Sequence, residues 1–209
     1  MRQINIFVSY SHLDANWVSE SDSFSLVPWL ADNIYRDNAI IWYDHGMKQL
    51  PDEEYKRKIK AEIDAANIAI LLISQNYAHS YYISEYELPW IKERLDAREL
   101  IVIPILLEPT DFSIEGHLRW ISKYQMFPGN ETPLIRYTSN QADFLEIRLD
   151  ILHEIQNWIK QLNDYPLYSH DRQFAKQSPA SVSKLTLLIS VFLIILLTII
   201  VILVLKLRF

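Results

Sequence analysis

Two carboxylates, Glu85 and Glu87, arrive as a helical pattern begins, just after an apolar run and a short loop rich in tyrosine. The stretch is Asn67 to Ile91, NIAILLISQNYAHSYYISEYELPWI. Its apolar run, Ile68 to Ile73, reads as a strand buried on both faces of a parallel sheet. The loop after such a strand lies at the sheet's carboxyl edge, where open α/β sheets bind ligands. A carboxylate placed there among aromatic rings is a candidate for chemistry on a small molecule. The plainer reading of either glutamate is a solvated acid in a first helical turn, favourable against the helix dipole. Two residues apart, Glu85 and Glu87 face different sides of any helix there.

Other polar side chains converge on the same edge. Ser9, Tyr10 and Ser11 close the first apolar run, INIFVSY, and either line a pocket or cap the adjoining helix or loop. Asp44 closes the second, AIIWY, and either touches a ligand or forms a turn. Tyr77 and Tyr82 either stack on a ligand ring or pack over the sheet edge.

The elements that must position these groups alternate. Strands are expected at 4–10, 39–43, 68–73 and 100–107, with a short fifth at 132–135. Helices are expected near 25–36, after Pro51 through Tyr55, Ile59 and Ile63, and through Leu88, Ile91 and Leu95 with Pro89 in the first turn. A last helix at about 142–162 carries Leu145, Leu149, Leu152, Ile155, Ile159 and Leu162 on one face. Pro104 in the fourth strand suits a strand end, bulge or edge. The pattern predicts an α/β fold: a flavodoxin-like five-stranded parallel sheet, order 2-1-3-4-5, with helices on both faces.

Composition removes several chemistries. There are no cysteines, hence no disulfide, thiolate metal site or cysteine nucleophile. Three glycines, Gly46, Gly116 and Gly129, cannot build a glycine-rich phosphate cradle. The six histidines show no metal-binding spacing, so no metal is expected, and each reads as an ordinary surface or packed histidine. Residues 1–164 hold 25 acids and 15 bases, a net charge of −10. A domain this acidic is a poor nucleic-acid binder.

The other end differs. Leu185 to Leu205, LTLLISVFLIILLTIIVILVL, carries no charge. Roughly 20 apolar residues suffice to cross a bilayer as a helix. Lys184 precedes it; Lys206 and Arg208 follow. The expected organisation is a globular domain at 1–163, a linker at 164–184, a single transmembrane helix at 185–205 and a basic tail at 206–209. A tail-anchored protein with its domain on the cytoplasmic side, in contact with the lipid bilayer, is expected.

At this point the residues resemble the TIR domain family. Phe7-Val8-Ser9-Tyr10-Ser11 with Asp14 looks like its first-strand signature. Trp42-Tyr43-Asp44 followed by Leu50-Pro51 looks like its second strand and self-association loop. Ile73-Ser74-Gln75-Asn76-Tyr77, Tyr82-Ile83 and Glu87-Leu88-Pro89 look like the segment with the catalytic glutamate. Gln125, Pro128 and Pro133-Leu134-Ile135 are similar to a late pattern of bacterial members. Asp52 stands where a glycine is frequent, and no Trp-Cys precedes the glutamate.

The resemblance implies one of two functions. Enzymatic members bind NAD+ as substrate, with no separate cofactor, and cleave its nicotinamide–ribose bond, giving hydrolysed or cyclised ADP-ribose. Others are scaffolds that signal through TIR–TIR contact. On the enzymatic reading Glu87 is the catalytic carboxylate, and Ser9, Tyr10, Ser11, Asp44, Tyr77 and Tyr82 line the NAD+ site. Self-association would switch on a membrane-anchored NAD+ glycohydrolase or ADP-ribose cyclase in signalling or defence. A third reading makes the apolar helix itself the effector, oligomerising in a membrane.

Overall fold

The computed structural model describes residues 2–20, 24–34, 37–44, 51–112, 116–129 and 132–164. Between Ser169 and His170 the chain divides into two units, and only the first holds described residues. Four strands form one sheet: β1 (Ile4–Ser9), β2 (Ala39–Tyr43), β3 (Ile68–Ile73) and β4 (Ile101–Leu106). Their order is β2-β1-β3-β4, all parallel. Five helices accompany them: α1 (Val27–Ile34), α2 (Asp52–Ala65), the short α3 (Gln75–Ala78), α4 (Leu88–Asp96) and α5 (Gln141–Asp164).

Alternation along the strands splits the core in two. Ile4, Ile6, Val8, Ile68, Ile70, Leu72, Ile103 and Ile105 pack on one face with residues of α1 and α5. Phe7, Ala69, Leu71, Ile73, Val102 and Leu106 pack on the other with Ile59 and Ile63 of α2 and Leu88 and Ile91 of α4. Successive side chains of a strand point to opposite faces, so six-residue strands feed both layers. Arg94 ties the second layer together: its guanidinium donates to the carbonyls of Ile63 and Ala66, capping the end of α2.

Two expectations need correction. Among the described residues the sheet has four strands, and Leu134–Tyr137 form a 3-10 turn in place of a fifth. The fifth position is held by one bridge, Phe127 to Ile105. Phe127 donates to the carbonyl of Pro104 at 2.9 Å and accepts from the amide of Leu106 at 2.7 Å. Pro104 therefore turns its missing donor to the sheet's outer side, the edge placement proline requires. In α5, Leu145 and Leu149 are exposed, and Phe144 and Ile151 are buried in their stead. The inward stripe begins one residue earlier than the leucine spacing suggests. Pro89 stands in the first turn of α4, as expected, but the chain is already helical before it. Helix begins at Tyr81 and continues as a π-turn, Ile83–Glu87, into α4. Proline removes a backbone donor and its ring collides with the carbonyl four residues back, here that of Glu85. A wider turn, closed by the Leu88 amide on the Ile83 carbonyl, accommodates both.

The expected linker, membrane span and tail from 165 onward lie outside the described residues, as does most of the loop between Asp44 and Pro51. Among the described residues no helix is long and apolar enough to cross a membrane.

Candidate active site at the carboxyl edge of the sheet

Glu87 closes the π-turn and is 5 % exposed. The surface-acid reading fails on that burial. Ser9, at the last position of β1, donates to Glu87 Oε2 at 2.6 Å. The Ser9 proton is thereby committed, so the Tyr77 hydroxyl, 3.0 Å from Ser9 Oγ, donates to Ser9. The relay Tyr77–Ser9–Glu87 is buried throughout. Burial raises the Glu87 carboxyl from 4.5 to about 7, against the Ser9 hydrogen bond and against His12 when its ring is protonated; the charge of Asp44 adds to the rise. A carboxyl poised near neutrality at a sheet's ligand-binding edge is a recognised mark of a working site. Glu85 is exposed.

A second cluster stands beside it. Asp44 accepts from Tyr55 at 2.9 Å and pairs with His12 Nε2 at 2.6 Å, both through Oδ2. Tyr10 donates to the Asp44 carbonyl at 2.5 Å. Burial pushes the phenols of Tyr10, Tyr55 and Tyr82 up, with Asp44 next for Tyr10 and Tyr55 and Glu87 next for Tyr82. All three are protonated, neutral donors at physiological pH. The Tyr82 ring meets Tyr55 at 5.1 Å and Tyr86 at 5.2 Å. Its buried hydroxyl has no hydrogen-bond partner among the described residues.

The remaining residues singled out in the sequence are brought close but are occupied. Ser11 caps the 3-10 turn His12–Trp17 by accepting from the Leu13 amide. Tyr77 is fully buried, its ring in the core and no face open for stacking. Asp14 is buried and accepts from Ser74 Oγ at 2.6 Å and Asn76 Nδ2 at 2.7 Å. It thus clamps the loop after β1 to the start of α3. Asp14→Ala strands those two donors. It is expected to cost about 2 kcal/mol of stability, read as a lower urea midpoint with an unchanged slope.

His12 and Tyr55 are not among the residues singled out in the sequence, and Tyr55 carries no functional sign there. Tyr55 sits at helical spacing with core residues, and its hydroxyl reaches Asp44 only because α2 packs across the strand ends. For His12 one signal exists: it follows the Ser-Tyr-Ser run directly off the end of β1. Among the described residues no cluster of His, Asp or Glu suits a metal ion.

The TIR domain family model matches residues 6–133, more than half of the chain. The chain belongs to the TIR domain family. A curated relative, the uncharacterized protein y4lF of Sinorhizobium fredii, is 26 % identical over 144 residues. That match covers 68 % of this chain and 41 % of the relative, so the chain spans less than half of the relative's length. Solved structures with a similar course include the TIR domains of the activated Roq1 resistosome directly recognizing the pathogen effector XopQ. The likeness has TM-score 0.48 and 20 % identity over 73 % of this chain and 99 % of that one. The RPS4 and RRS1 TIR domain heterodimer is similar at TM-score 0.47 and 10 % identity, over 75 % and 97 % of the two chains.

Proposed function

We propose that this TIR domain cleaves the nicotinamide–ribose bond of NAD+, with Glu87 as the carboxylate that faces the ribose. The observation that carries the reading is the buried Ser9–Glu87 hydrogen bond at the sheet's carboxyl edge. As nicotinamide leaves, positive charge grows on the ribose. A fixed carboxylate in a dry site stabilises such charge far better than one in water, as glycosidase carboxylates do. Ser9 would orient that carboxylate, and Tyr10 and Tyr82 would frame the substrate. The test is to incubate the purified chain with NAD+, free and concentrated on lipid vesicles, and follow nicotinamide release. No release in either condition rejects the reading.

A second reading, a TIR scaffold without chemistry, draws on the closure of the same site. Glu87 is 5 % exposed and Tyr77 0 %, so a substrate reaches the carboxylate only after rearrangement. On the enzymatic reading the 44–52 loop of a neighbouring TIR domain completes the pocket. Activity is then expected to rise more steeply than linearly with protein concentration. Linear dependence, with monomers throughout by light scattering, rejects assembly control.

The apolar stretch 185–205 is proposed as a single-pass membrane anchor with the TIR domain in the cytoplasm. Confinement to a surface raises effective concentration and favours TIR–TIR contact. Deleting residues 183–209 is expected to leave a soluble domain with its helical circular dichroism intact. Precipitation or loss of helix would place the stretch in the core.

A further inference from the structure

We infer that His12, held by Asp44 and boxed by Tyr10 and Tyr55, is the base that takes the proton from the water attacking the ribose. The inference rests on the NAD+-cleaving reading of Glu87 and assigns the half of the reaction left over when Glu87 faces the ribosyl cation. Glu87 accepts a hydrogen bond from Ser9 and is given to the cation. Taking the proton of the attacking water falls to a second group on the solvent-exposed side. His12 stands there: its side chain is 36 % exposed, and it lies within electrostatic reach of Glu87.

The imidazole is held in one orientation. Nε2 lies 2.6 Å from Asp44 Oδ2. A carboxylate only accepts, so Nε2–H donates, and in the neutral imidazole Nδ1 then carries the lone pair. Asp44 is fixed in turn by the Tyr55 hydroxyl on the same oxygen and the Tyr10 hydroxyl on its carbonyl. The Tyr10 and Tyr55 rings flank the imidazole at 5.8 and 6.3 Å. Nδ1 has no hydrogen-bond partner among the described residues. A carboxylate that sets a histidine's tautomer while the other nitrogen stays open is the arrangement general-base catalysis needs.

The step balances. The ribose C1′–nitrogen bond breaks, and its electron pair goes to the pyridinium ring, which leaves as neutral nicotinamide. A water oxygen bonds to C1′. Its proton passes to His12 Nδ1 and then to solvent. ADP-ribose, nicotinamide and one proton are released.

A positioning role, in which His12 only braces Asp44, predicts different kinetics, because the same bond cleavage supports two outcomes. Hydrolysis must shed a proton. Exchange of nicotinamide for an added pyridine base sheds none, since the pyridine nitrogen attacks with its own lone pair. The experiment compares both reactions in the full chain on lipid vesicles. His12→Gln keeps an N–H donor for Asp44 and removes the basic nitrogen. Hydrolysis is expected to fall roughly 100-fold, with pyridine exchange within about threefold of wild type. Parallel loss of both reactions overturns the proposal in favour of a brace, and loss of neither overturns it outright. Where His12→Gln fails to fold by circular dichroism, His12→Asn, which likewise carries an N–H donor and no basic nitrogen, takes its place and is judged by the same outcomes. A wild-type chain that performs neither reaction defeats the NAD+ reading itself, and this inference with it.

Discussion

Glu87→Gln is expected to lower NAD+ turnover roughly 100-fold or more, the scale for losing one electrostatic stabiliser. Glutamine keeps the volume, and its amide still accepts from Ser9, so the variant isolates the charge. Pyridine exchange should fall with hydrolysis, since both pass through the same ribosyl cation. In wild type only the ionised carboxylate is useful, and Glu87 titrates at about 7. On that basis kcat/KM should rise with pH through neutrality and level off above it. The exposed Glu85 is the control: Glu85→Gln should retain most activity. A loss found at Glu85 and not at Glu87 would move the site two residues along the chain, and equal activity in all three would remove the carboxylate mechanism.

The same substitution is expected to strengthen the fold at neutral pH and above. The carboxyl titrates near 4.5 in an unfolded chain and at about 7 here. Between those values the folded protein holds the proton more tightly than the unfolded one, so stability falls as pH rises. Its contribution is fully present below pH 4.5, is lost through about 7 and changes no further above. The shift corresponds to about 3 kcal/mol between the two protonation states. Glu87→Gln cannot ionise and escapes that loss. Urea unfolding should show wild type and variant equal near pH 4 and the variant more stable by about 3 kcal/mol at pH 8. Taking the difference between the two chains cancels the other acids. A variant less stable at pH 8 would mean that the ionised carboxylate holds the fold together and that its burial is not the dominant influence.

Much of this is legible from the chain, and the illegible part has physical causes. Ile68–Ile73 declares a two-sided buried strand by having no polar residue at all. Strand ends then place Ser9 and Asp44 at one edge, because parallel strands in one sheet all deliver their carboxyl ends there. The environment of Glu87 is not readable. Whether a carboxylate near Pro89 is wet or dry depends on how the chain absorbs the proline, and it does so by widening a turn that leaves Glu87 against Ser9 of β1. His12 escapes notice for a similar reason: its partners Asp44 and Tyr55 are 32 and 43 residues away. The expected fifth strand fails although Pro133-Leu134-Ile135 has strand composition: Phe127 takes the edge beside Pro104, and the chain at Leu134–Tyr137 turns into a 3-10 helix.

The wide turn at Ile83–Glu87 also governs how Glu87 is carried. In an α-helix each residue advances the side chain by about 100°, and a π-turn holds one residue more than the helix around it needs. Deleting a single residue from Ile83 to Tyr86 would close the π-turn and set the Pro89 ring against a carbonyl four residues back. The extra residue thus acts as a spacer: it lets helix run unbroken through a proline, and the side chain at its last position, Glu87, is held against Ser9 of β1.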